Sequence, residues 1–525
     1  MSRYALSVSA ISLMFLATAC RSQTAQSEVT ARNTAGSSGS DTAGAGDIRW
    51  IEQRVEGAPL ISFRLVFRSG SSDDPAGQEG ATAVLARAMT RGAAGGQSYE
   101  ELTRRLFPMA ASVEAQIDRD LTAFTATVHR DHVREFYAIL QAILLRPELR
   151  QDDVTRVTAQ VRSELTDDLR GNDDEQLGRE LLQYALYRGH PYGHPTSGTV
   201  RGLSALTRES LQAHRARVFC RDRLTVGIAG GFEPQLIAQM RADLQALPER
   251  CPERAALPAV ARPQGVHLLF AHKPSASATA ISIGTHVSLD RAHQDFFAVQ
   301  FVSNYLGLHR QSSGVLYQTL RESRGLNYGD YAYVEHFEQE GHSRFPTPHL
   351  LRRQQYASIW LRPVRPETAH FAIRGALRAL SQTLRDGIEP AAFERTQTFL
   401  SGYVTLYAQT DSARLGSAVD ASLLGWPASE GYATRAQQSW AALRANDAIE
   451  AARRHLSAQD LWITVVAPNA PELAQAIQSE ATSVMRYDSP KPQSVLDEDR
   501  EINAYRIGVA PNAVEVVPAA QLFAQ

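Results

Sequence analysis

His129, His132 and Glu135 have side chains of the types that bind zinc, since imidazole nitrogens and carboxylate oxygens are common ligands. They straddle the end of a predicted strand and the turn into a predicted helix, so we do not expect one shared metal site. His336 and His342 are flanked by acidic residues on a predicted loop, where we expect a solvated role. No Gly-x-Ser-x-Gly elbow marks a serine nucleophile, although composition alone leaves a Ser-His-Asp arrangement open. These residues by themselves predict no catalytic centre.

The composition is that of a globular protein and gives no basis for nucleic-acid binding. The chain has 525 residues, with 54 Lys and Arg against 56 Asp and Glu, and its formal net charge is −2. No cationic excess exists to displace counterions from phosphates, so nucleic acid is not an expected partner. Apolar residues make up 43% of the chain, which excludes a wholly disordered protein.

Residues 1–20 resemble a bacterial lipoprotein signal. Arg3 precedes an apolar run that is too short for a clear membrane span, and the run ends in Ala17-Thr18-Ala19-Cys20. In such signals the cysteine becomes the lipidated first residue, so Cys20 is the predicted lipidation site and acyl chains are the only predicted membrane attachment. The alternative is an ordinary cleaved signal with an incidental cysteine. Because Arg21 is not the aspartate associated with inner-membrane retention, we prefer the outer membrane or periplasm to the inner membrane.

Residues 21–47 are rich in Ser, Thr, Ala and Gly and are predicted to form a flexible linker. The folded part is therefore expected to begin near Ile48. Lipidation of Cys20 would leave Cys220 and Cys251 as the two remaining thiols, in a compartment that favours oxidation. A Cys220–Cys251 disulfide and two unpaired buried thiols both fit the sequence.

The middle of the chain contains two half-length copies of one plan, over residues 48–256 and 260–482. Apolar residues alternate with polar ones along 61–68, as in a strand with one buried face, and residues 112–117 and 121–128 flank a hairpin turn. Helices follow, and the order repeats from about residue 260. This pattern predicts an α+β fold in which each half is a mostly antiparallel sheet with helices packed on one face. Residues 483–525 are expected to be an appended tail packed on the body.

One segment of the first half resembles the opening of the pitrilysin (insulinase, inverzincin) family, which includes the mitochondrial processing peptidase. It runs Phe67-Arg68-Ser69-Gly70-Ser71, then Gly80 to Met89 and Gly92. In active members a His-x-x-Glu-His run on this helix supplies two zinc ligands and a general base. The corresponding residues here are Ala83, Val84, Leu85, Ala86 and Arg87, so both histidines and the glutamate are absent. The resemblance also implies that the two halves form a clamshell.

A second segment matches the run that carries the family's third zinc ligand. Val161-Arg162-Ser163-Glu164-Leu165 has its glutamate 77 positions after Arg87, as the family register requires. Glu164 is then a relic ligand, because one carboxylate cannot replace the usual three ligands and water. An ordinary exposed helix glutamate is the alternative. The loop His190-Pro191-Tyr192-Gly193 also resembles the family and is expected to be structural.

A third segment, Leu320-Arg321-Glu322-Ser323-Arg324-Gly325-Leu326-Asn327-Tyr328, resembles the part of the second half that supplies an arginine and a tyrosine to the family's active site. The resemblance therefore implies that Arg321 and Tyr328, seven positions apart, are catalytic residues. A guanidinium offers forked donors to a carbonyl or carboxylate, and a phenol can donate to a developing oxyanion. The alternative is a surface ion pair for Arg321 and a core position for Tyr328.

The loss of the zinc motif predicts that this chain is inactive as a peptidase on its own. Zinc lowers the pKa of its bound water to about 7, from 15.7 in bulk water, and Ala86 cannot act as a base. We therefore expect no metal or other cofactor bound by this chain and no independent enzyme activity.

The resemblance suggests a role for the retained pair, because some family members are two-chain assemblies in which only one chain carries zinc. The leading hypothesis is a zinc-free subunit of a metalloendopeptidase heterodimer, which donates Arg321 and Tyr328 to a zinc-bearing partner that cleaves peptides. The competing hypothesis is a pseudopeptidase that binds peptides or serves as a scaffold at the bacterial cell envelope.

Overall fold

The computed structural model describes residues 47–338 and 345–525. The predicted signal 1–20 with Cys20, residues 21–46 of the predicted linker, and His342 lie outside the described residues. Within the described ranges, no helix is both long and apolar enough to cross a bilayer.

The first half alternates strands with helices. Its strands are β1 (Arg49–Arg54), β2 (Leu60–Phe67), β3 (Val113–Ile117), β4 (Thr122–His129) and β5 (Leu224–Gly230). Its helices are α1 (Ala81–Thr90), α2 (Tyr99–Leu106), α3 (Val133–Leu145), α4 (Gln151–Ser163), α5 (Asp174–Leu186), α6 (Val200–Ser204), α7 (Arg208–Val218) and α8 (Pro234–Asp243). A π-helical segment, Glu164–Asn172, continues α4.

The second half repeats the plan. Its strands are β6 (Val266–His272), β7 (Thr279–Val287), β8 (Asp330–Tyr333), β9 (Gln355–Val364) and β10 (Leu461–Ala467). Its helices are α9 (Phe296–Gly307), α10 (Ala369–Asp386), α11 (Pro390–Tyr403), α12 (Asp411–Leu423), α13 (Tyr432–Ala442), α14 (Ala445–His455) and α15 (Ala470–Gln478). A π-helical segment, Tyr317–Glu322, lies between α9 and β8. The chain continues through α16 (Gln493–Ala504) and β11 (Val509–Pro518).

The two sheets have the same strand order. The first sheet runs β1-β5-β2-β4-β3, and the second runs β6-β10-β7-β9-β8 with β11 added outside β6. In both, the outer pair (β1 with β5, β6 with β10) is parallel and the next three pairs are antiparallel. This internal repeat confirms the predicted α+β fold of two homologous, mostly antiparallel halves.

One helix of each half packs on the sheet of the other half. Helix α5 of the first half packs on β7 and β10, and helix α12 of the second half packs on β1, β2 and β5. Glycines allow both approaches: a Cβ added at Gly227 in β5 would lie 2.7 Å from Val419, and one at Gly284 in β7 would lie 2.9 Å from Leu182. Each half therefore has a main core cluster of its own and also covers part of the other half's sheet.

The C-terminal segment packs against both halves. Strand β11 extends the second sheet, while Ala519, Leu522 and Phe523 are buried with the core of the first half. The backbone N–H of Val200 donates to the carbonyl of Phe523 at 3.0 Å. The tail is thus part of both sheets' packing.

Candidate functional site

Helix α1 is held at its N-terminus by a buried carboxylate. The carboxylate of Asp74 accepts hydrogen bonds from the backbone N–H groups of Gly80 at 2.7 Å and Thr82 at 2.8 Å, and from the Thr82 hydroxyl at 2.6 Å. Gly80 has a φ of 105°, a left-handed conformation that favours glycine. Burial raises the pKa of Asp74 to about 7, against the lowering effect of the hydrogen bonds. This arrangement fixes the start of the helix that carries the five motif positions.

The motif positions of α1 point mainly into the core. Ala83 and Ala86 are 1% and 0% exposed, and Val84 and Leu85 are fully buried with them. The methyl groups at the two alanines offer no lone pair to a metal ion and no proton acceptor to a water molecule. The residue types and their burial together leave no zinc-binding or general-base chemistry on this helix.

Arg87 forms an ion pair with Glu164. The Nη1 atom of Arg87 donates to Oε2 of Glu164, and the two side chains are 24% and 38% exposed. Glu164 is the first residue of the π-helical segment that follows α4. The structure thus brings the predicted relic ligand to the degenerate motif, where its carboxylate binds a guanidinium.

The residues at this position do not fit a zinc ion. The one carboxylate that remains is engaged by Arg87, and zinc sites need three protein ligands or more. Among the described residues, the groups of three potential ligand residues with converging donor atoms lie elsewhere, at Cys220/Asp222/Cys251 and at His293/Asp295/His455. The first group is not available as a thiolate site, because Cys220 and Cys251 are joined in a disulfide with a Cα–Cα distance of 5.5 Å.

Arg321 and Tyr328 lie side by side in the second half. Arg321 belongs to the π-helical segment Tyr317–Glu322, and its Nη1 donates to the hydroxyl of Tyr317. Its guanidinium lies 4.7 Å from the ring centroid of Tyr317 and 5.8 Å from that of Tyr328. The side chain of Tyr328 is 78% exposed, so the core position considered as an alternative for it is wrong.

The loop that carries Tyr328 is held by a hydrogen bond between Asn327 and the buried Asp330. Asn327 Nδ2 donates to Asp330 Oδ1 at 2.7 Å and to the carbonyl of Arg362 at 3.0 Å. Asp330 is 1% exposed, and burial raises the pKa of its carboxyl to about 7. The anchored loop thus holds the exposed ring of Tyr328 5.8 Å from the guanidinium of Arg321 in the preceding π-helical segment. Within the described ranges, no hydrogen bond or ion pair joins this pair to Arg87 or Glu164.

The histidines considered for metal binding have other roles. His129 and His132 have ring centroids 6.5 Å apart, but Glu135 pairs with Arg105 at 3.3 Å, so no three-residue site forms. His336 has a side chain only 9% exposed, and its Nδ1 lies 3.0 Å from the hydroxyl of Tyr356. The prediction of a solvated His336 is therefore wrong, because the loop folds back onto β9.

The loop His190–Gly193 is a packing element. Tyr192 is fully buried, and its hydroxyl donates to Asp120 Oδ2. The His190 ring lies 4.9 Å from that of Tyr192, and burial lowers the pKa of His190 to about 4. A neutral, buried imidazole fits the structural role expected from the sequence.

Buried ion pairs between the halves are the main feature that the sequence analysis missed. Asp118, Arg119 and Asp120 were interpreted only as a hairpin turn, yet they are 1%, 0% and 3% exposed. Arg352 from the second half donates its Nε to Asp118 Oδ2 at 2.8 Å, and Arg353 donates its Nε to Asp120 Oδ1 at 3.0 Å. Three consecutive charged residues between two apolar strands were the available signal.

A pocket of about 460 Å³ lies beside these ion pairs. Its lining includes Arg68, Arg254, Arg353, Asp222 and the disulfide residue Cys251. Arg254 and Arg353 are both paired with Asp120. Arg68 forms no ion pair among the described residues and donates instead to the carbonyl of Asp222 at 3.0 Å. Arg68 is therefore a guanidinium of the pocket lining that is in no close ion pair within the described ranges, although the charge of Asp222 acts on it.

Two family models match consecutive parts of the chain. Residues 52–200 match the insulinase (peptidase family M16) model, and residues 205–400 match the peptidase M16 inactive domain. An uncharacterized zinc protease of Mycobacterium leprae is 25% identical over 313 residues, which are 56% of this chain and 66% of that protein. The alignment thus spans just under two thirds of the relative's length.

Solved structures share the fold at low identity. A peptidase M16 inactive domain from Pseudomonas fluorescens superposes with a TM-score of 0.69 at 19% identity, covering 81% of this chain and 96% of that one. A chain of Complex III2 from Candida albicans gives a TM-score of 0.63 at 15% identity, covering 82% and 96%. These likenesses establish the architecture and nothing about the activity of this chain.

Proposed function

The chain belongs to the insulinase family of peptidases, M16, and from that premise we propose that it is a zinc-lacking subunit that supplies Arg321 and Tyr328 to the active site of a zinc-bearing partner. The observation that carries the proposal is the contrast between two sites of one chain. At the first, Arg87 binds the one remaining ligand, Glu164. At the second, an arginine of a π-helical segment lies next to an exposed tyrosine on the anchored loop that follows.

The chemistry of the second pair suits peptide hydrolysis. A guanidinium can bind a peptide carbonyl or carboxylate, and a phenol can donate to the oxyanion of a tetrahedral intermediate. Tyr328 is 78% exposed and free to reach a group outside its own chain. Neither residue can activate water, so the nucleophile and its metal must come from the partner.

The names of two relatives are consistent with a multi-chain assembly. One is subunit beta of the mitochondrial-processing peptidase of Dictyostelium discoideum, and another belongs to Complex III2 of Candida albicans. We propose a heterodimer with a zinc-bearing chain of the same family. The disulfide between Cys220 and Cys251 supports export, because disulfides persist in oxidising compartments. We propose the cell envelope as the location, with Cys20 as the lipid anchor and the outer membrane or periplasm preferred.

The test is co-purification from the native envelope followed by a peptide-cleavage assay with and without the recovered partner. We expect activity only in the mixture. A neighbouring coding sequence with His-x-x-Glu-His but no Arg/Tyr pair would identify the partner. Cleavage by this chain alone, abolished by a chelator, would overturn the proposal.

A peptide-binding or scaffold role is the second candidate, and the 460 Å³ pocket favours it. The Arg68 guanidinium, which has no carboxylate partner among the described residues, can receive the carboxylate of a peptide. In that case peptides bind to the isolated chain, Arg68→Ala weakens the binding, and the partner's activity does not depend on Tyr328.

A further inference from the structure

Two histidines and an aspartate converge where the start of α9 meets the end of α14. His293 and Asp295 precede α9, with Asp295 at its N-cap position, and His455 is the last residue of α14. One donor atom from each of the three side chains lies within 4.8 Å of the other two. All three residues are partly buried, so their side chains are held in place and remain open to solvent.

The hydrogen bonds within this cluster show which atoms are available. His455 Nε2 lies 2.9 Å from Asp295 Oδ2, and His293 Nδ1 accepts from the backbone N–H of Asp295 at 3.1 Å. Because an imidazole nitrogen has a single in-plane lone pair, a metal ion bound to Nδ1 of His293 would replace this hydrogen bond from the backbone. At His455, a metal ion would take the place of the proton between Nε2 and the carboxylate, and that proton would pass to Nδ1 or to solvent.

The Asp295 carboxylate is not used to cap its helix. Although Asp295 occupies the N-cap position of α9, its side chain makes no capping hydrogen bond. It binds His455 and Arg454 from α14 instead, with Arg454 Nη2 at 2.9 Å from Oδ1. An aspartate turned away from its local helix and toward an imidazole of another helix is available as a third ligand.

The spacing is close to that of a tetrahedral zinc site. Ligand atoms bound to zinc at about 2.0–2.2 Å lie about 3.3 Å apart. The largest separation here is 4.8 Å or less, so the side chains need to close by about 1.5 Å at most. Rotamer changes of partly exposed side chains supply such a movement without shifting the helices.

The ligand set selects the class of metal ion. Two imidazoles and one carboxylate suit Zn²⁺ and similar transition-metal ions, whereas Mg²⁺ and Ca²⁺ prefer oxygen ligands. The geometry points to His293, Asp295 and His455 as a binding site for a divalent transition-metal ion, with Zn²⁺ foremost, that joins α9 to α14. This site is separate from the degenerate motif on α1 and does not depend on the proposed function.

The charge of Arg454 lowers the affinity of this site for a metal ion. Its guanidinium occupies the carboxylate that the metal ion needs, yet its side chain is 54% exposed and the pair is solvated. A carboxylate has about four lone-pair positions and can serve both partners, although a second cation nearby weakens metal binding. Removing the charge of Arg454 must therefore tighten metal binding, which a merely adventitious site elsewhere on the chain would not show.

The experiment is a titration of the chelator-treated full chain with ZnCl₂, followed by calorimetry, and with CoCl₂, followed by the visible absorption of bound cobalt. We expect one equivalent to bind. His293→Ala and His455→Ala should each weaken binding at least tenfold, and Arg454→Ala should tighten it several-fold. The matched control is the double variant His129→Ala/His132→Ala, which removes a second neighbouring histidine pair and should leave binding unchanged.

X-ray absorption of the zinc-loaded wild type gives a count of imidazole ligands that does not depend on any variant. Two imidazoles support the site. No saturable binding, binding that survives loss of either His293 or His455, or binding lost in the control variant would each overturn it. If the site binds zinc as proposed, the purified chain carries zinc without a peptidase centre. Its metal content then has to be compared with that of the His293→Ala variant before zinc is assigned to the active site.

Discussion

Arg87, the last of the five motif positions on α1, is bound to Glu164, the first residue of the π-helical segment that continues α4. The guanidinium of Arg87 is permanently charged, so it balances the negative charge of the Glu164 carboxylate without a metal ion. The pair also links the C-terminal part of α1 to the π-helical segment that begins at Glu164. The contact therefore joins two parts of the first half that lie 77 positions apart in the sequence.

The first prediction concerns the coupling between Arg87 and Glu164. Arg87→Ala and Glu164→Ala should each destabilise the chain, and the double variant should lose about 1 kcal/mol less than the sum, since each single change leaves one partly buried charge unpaired. The free energy of unfolding in urea measures this. The Arg104/Glu100 pair, 69% and 83% exposed, is the control and should couple by about 0.5 kcal/mol or less. Equal coupling in both pairs would contradict the interpretation.

The second prediction concerns catalysis in the two-chain complex. Tyr328→Phe and Arg321→Ala should each lower peptide cleavage by roughly 10- to 150-fold, the effect of losing a hydrogen bond to a charged group worth about 1.5–3 kcal/mol. The stability of the isolated chain should hardly change in Tyr328→Phe, because this side chain is 78% exposed. Tyr99→Phe, on the solvent side of α2, should leave cleavage unaltered. Wild-type rates in both test variants would remove the catalytic role.

The strands of the first half follow from local patterns, while the way the halves combine does not. Alternation along residues 61–68 predicted β2, and the segments 112–117 and 121–128 on either side of the predicted hairpin turn correspond to β3 and β4 within one residue. Strand β1 (Arg49–Arg54) was not predicted, because it is short and its partner β5 lies about 175 residues later in the chain.

The exchange of α5 and α12 could not be predicted for the same reason. An amphipathic helix shows that it has an apolar face but not which sheet it covers. Likewise, Ala83, Ala86 and Arg87 show from the sequence alone that the zinc motif is missing, but the ion pair of Arg87 with Glu164 depends on a contact across 77 positions. In the same way, His455 lies 160 positions after Asp295, beyond any motif spacing, so its convergence with His293 and Asp295 could not be predicted.

The third prediction concerns the buried ion pair that joins the halves. Asp118→Ala should cost about 3–5 kcal/mol of unfolding free energy, because Arg352, whose side chain is 2% exposed, would keep a buried charge with no carboxylate partner. The double variant Asp118→Leu/Arg352→Met should recover much of this loss, since replacing both charges leaves none unpaired. Urea unfolding at pH 7.5 tests both. A double variant as unstable as the summed singles would show that the polar contacts of Arg352, including that to Gln183 at 2.7 Å, matter more than the charge.

The fourth prediction is a loss of stability as the pH falls from about 6.5 to 4. Burial lowers the pKa values of His190, His214 and His370 from 6.5 to about 4, so the folded chain binds fewer protons than the unfolded chain in this range. The contribution of these neutral histidines to the free energy of unfolding is fully present above pH 6.5 and is lost as the pH approaches 4. Asp74 and Asp330 act in the opposite direction, since their pKa values are raised to about 7 and folding takes up their protons between pH 4 and 7.

Burial also lowers the pKa of His194 to about 4 and that of His309 to about 3, and it raises the pKa of Glu338 to about 7. These five histidines outnumber the three carboxyls, so we expect the urea midpoint to fall on acidification. His370→Gln removes one titrating group and should reduce the slope of the midpoint against pH between 6.5 and 4. Asp330→Asn should make the slope steeper, because it removes an opposing group. A midpoint that rises on acidification would show that the carboxyls dominate.

The fifth prediction concerns the disulfide and the compartment. Cys220 and Cys251 are 31 positions apart, and closing a loop of this length stabilises a protein by about 3–4 kcal/mol in the chain-entropy model. The variant Cys220→Ser/Cys251→Ser should lose about that much, and a reducing agent should lower the melting temperature of the wild type but not of this variant. The backbone N–H of Cys251 donates to Asp222 at 3.1 Å, and both residues line the arginine-lined pocket. The disulfide therefore also stabilises one wall of that pocket. If reduction leaves the wild type unchanged, the thiols are unpaired in solution and the argument for an oxidising compartment fails.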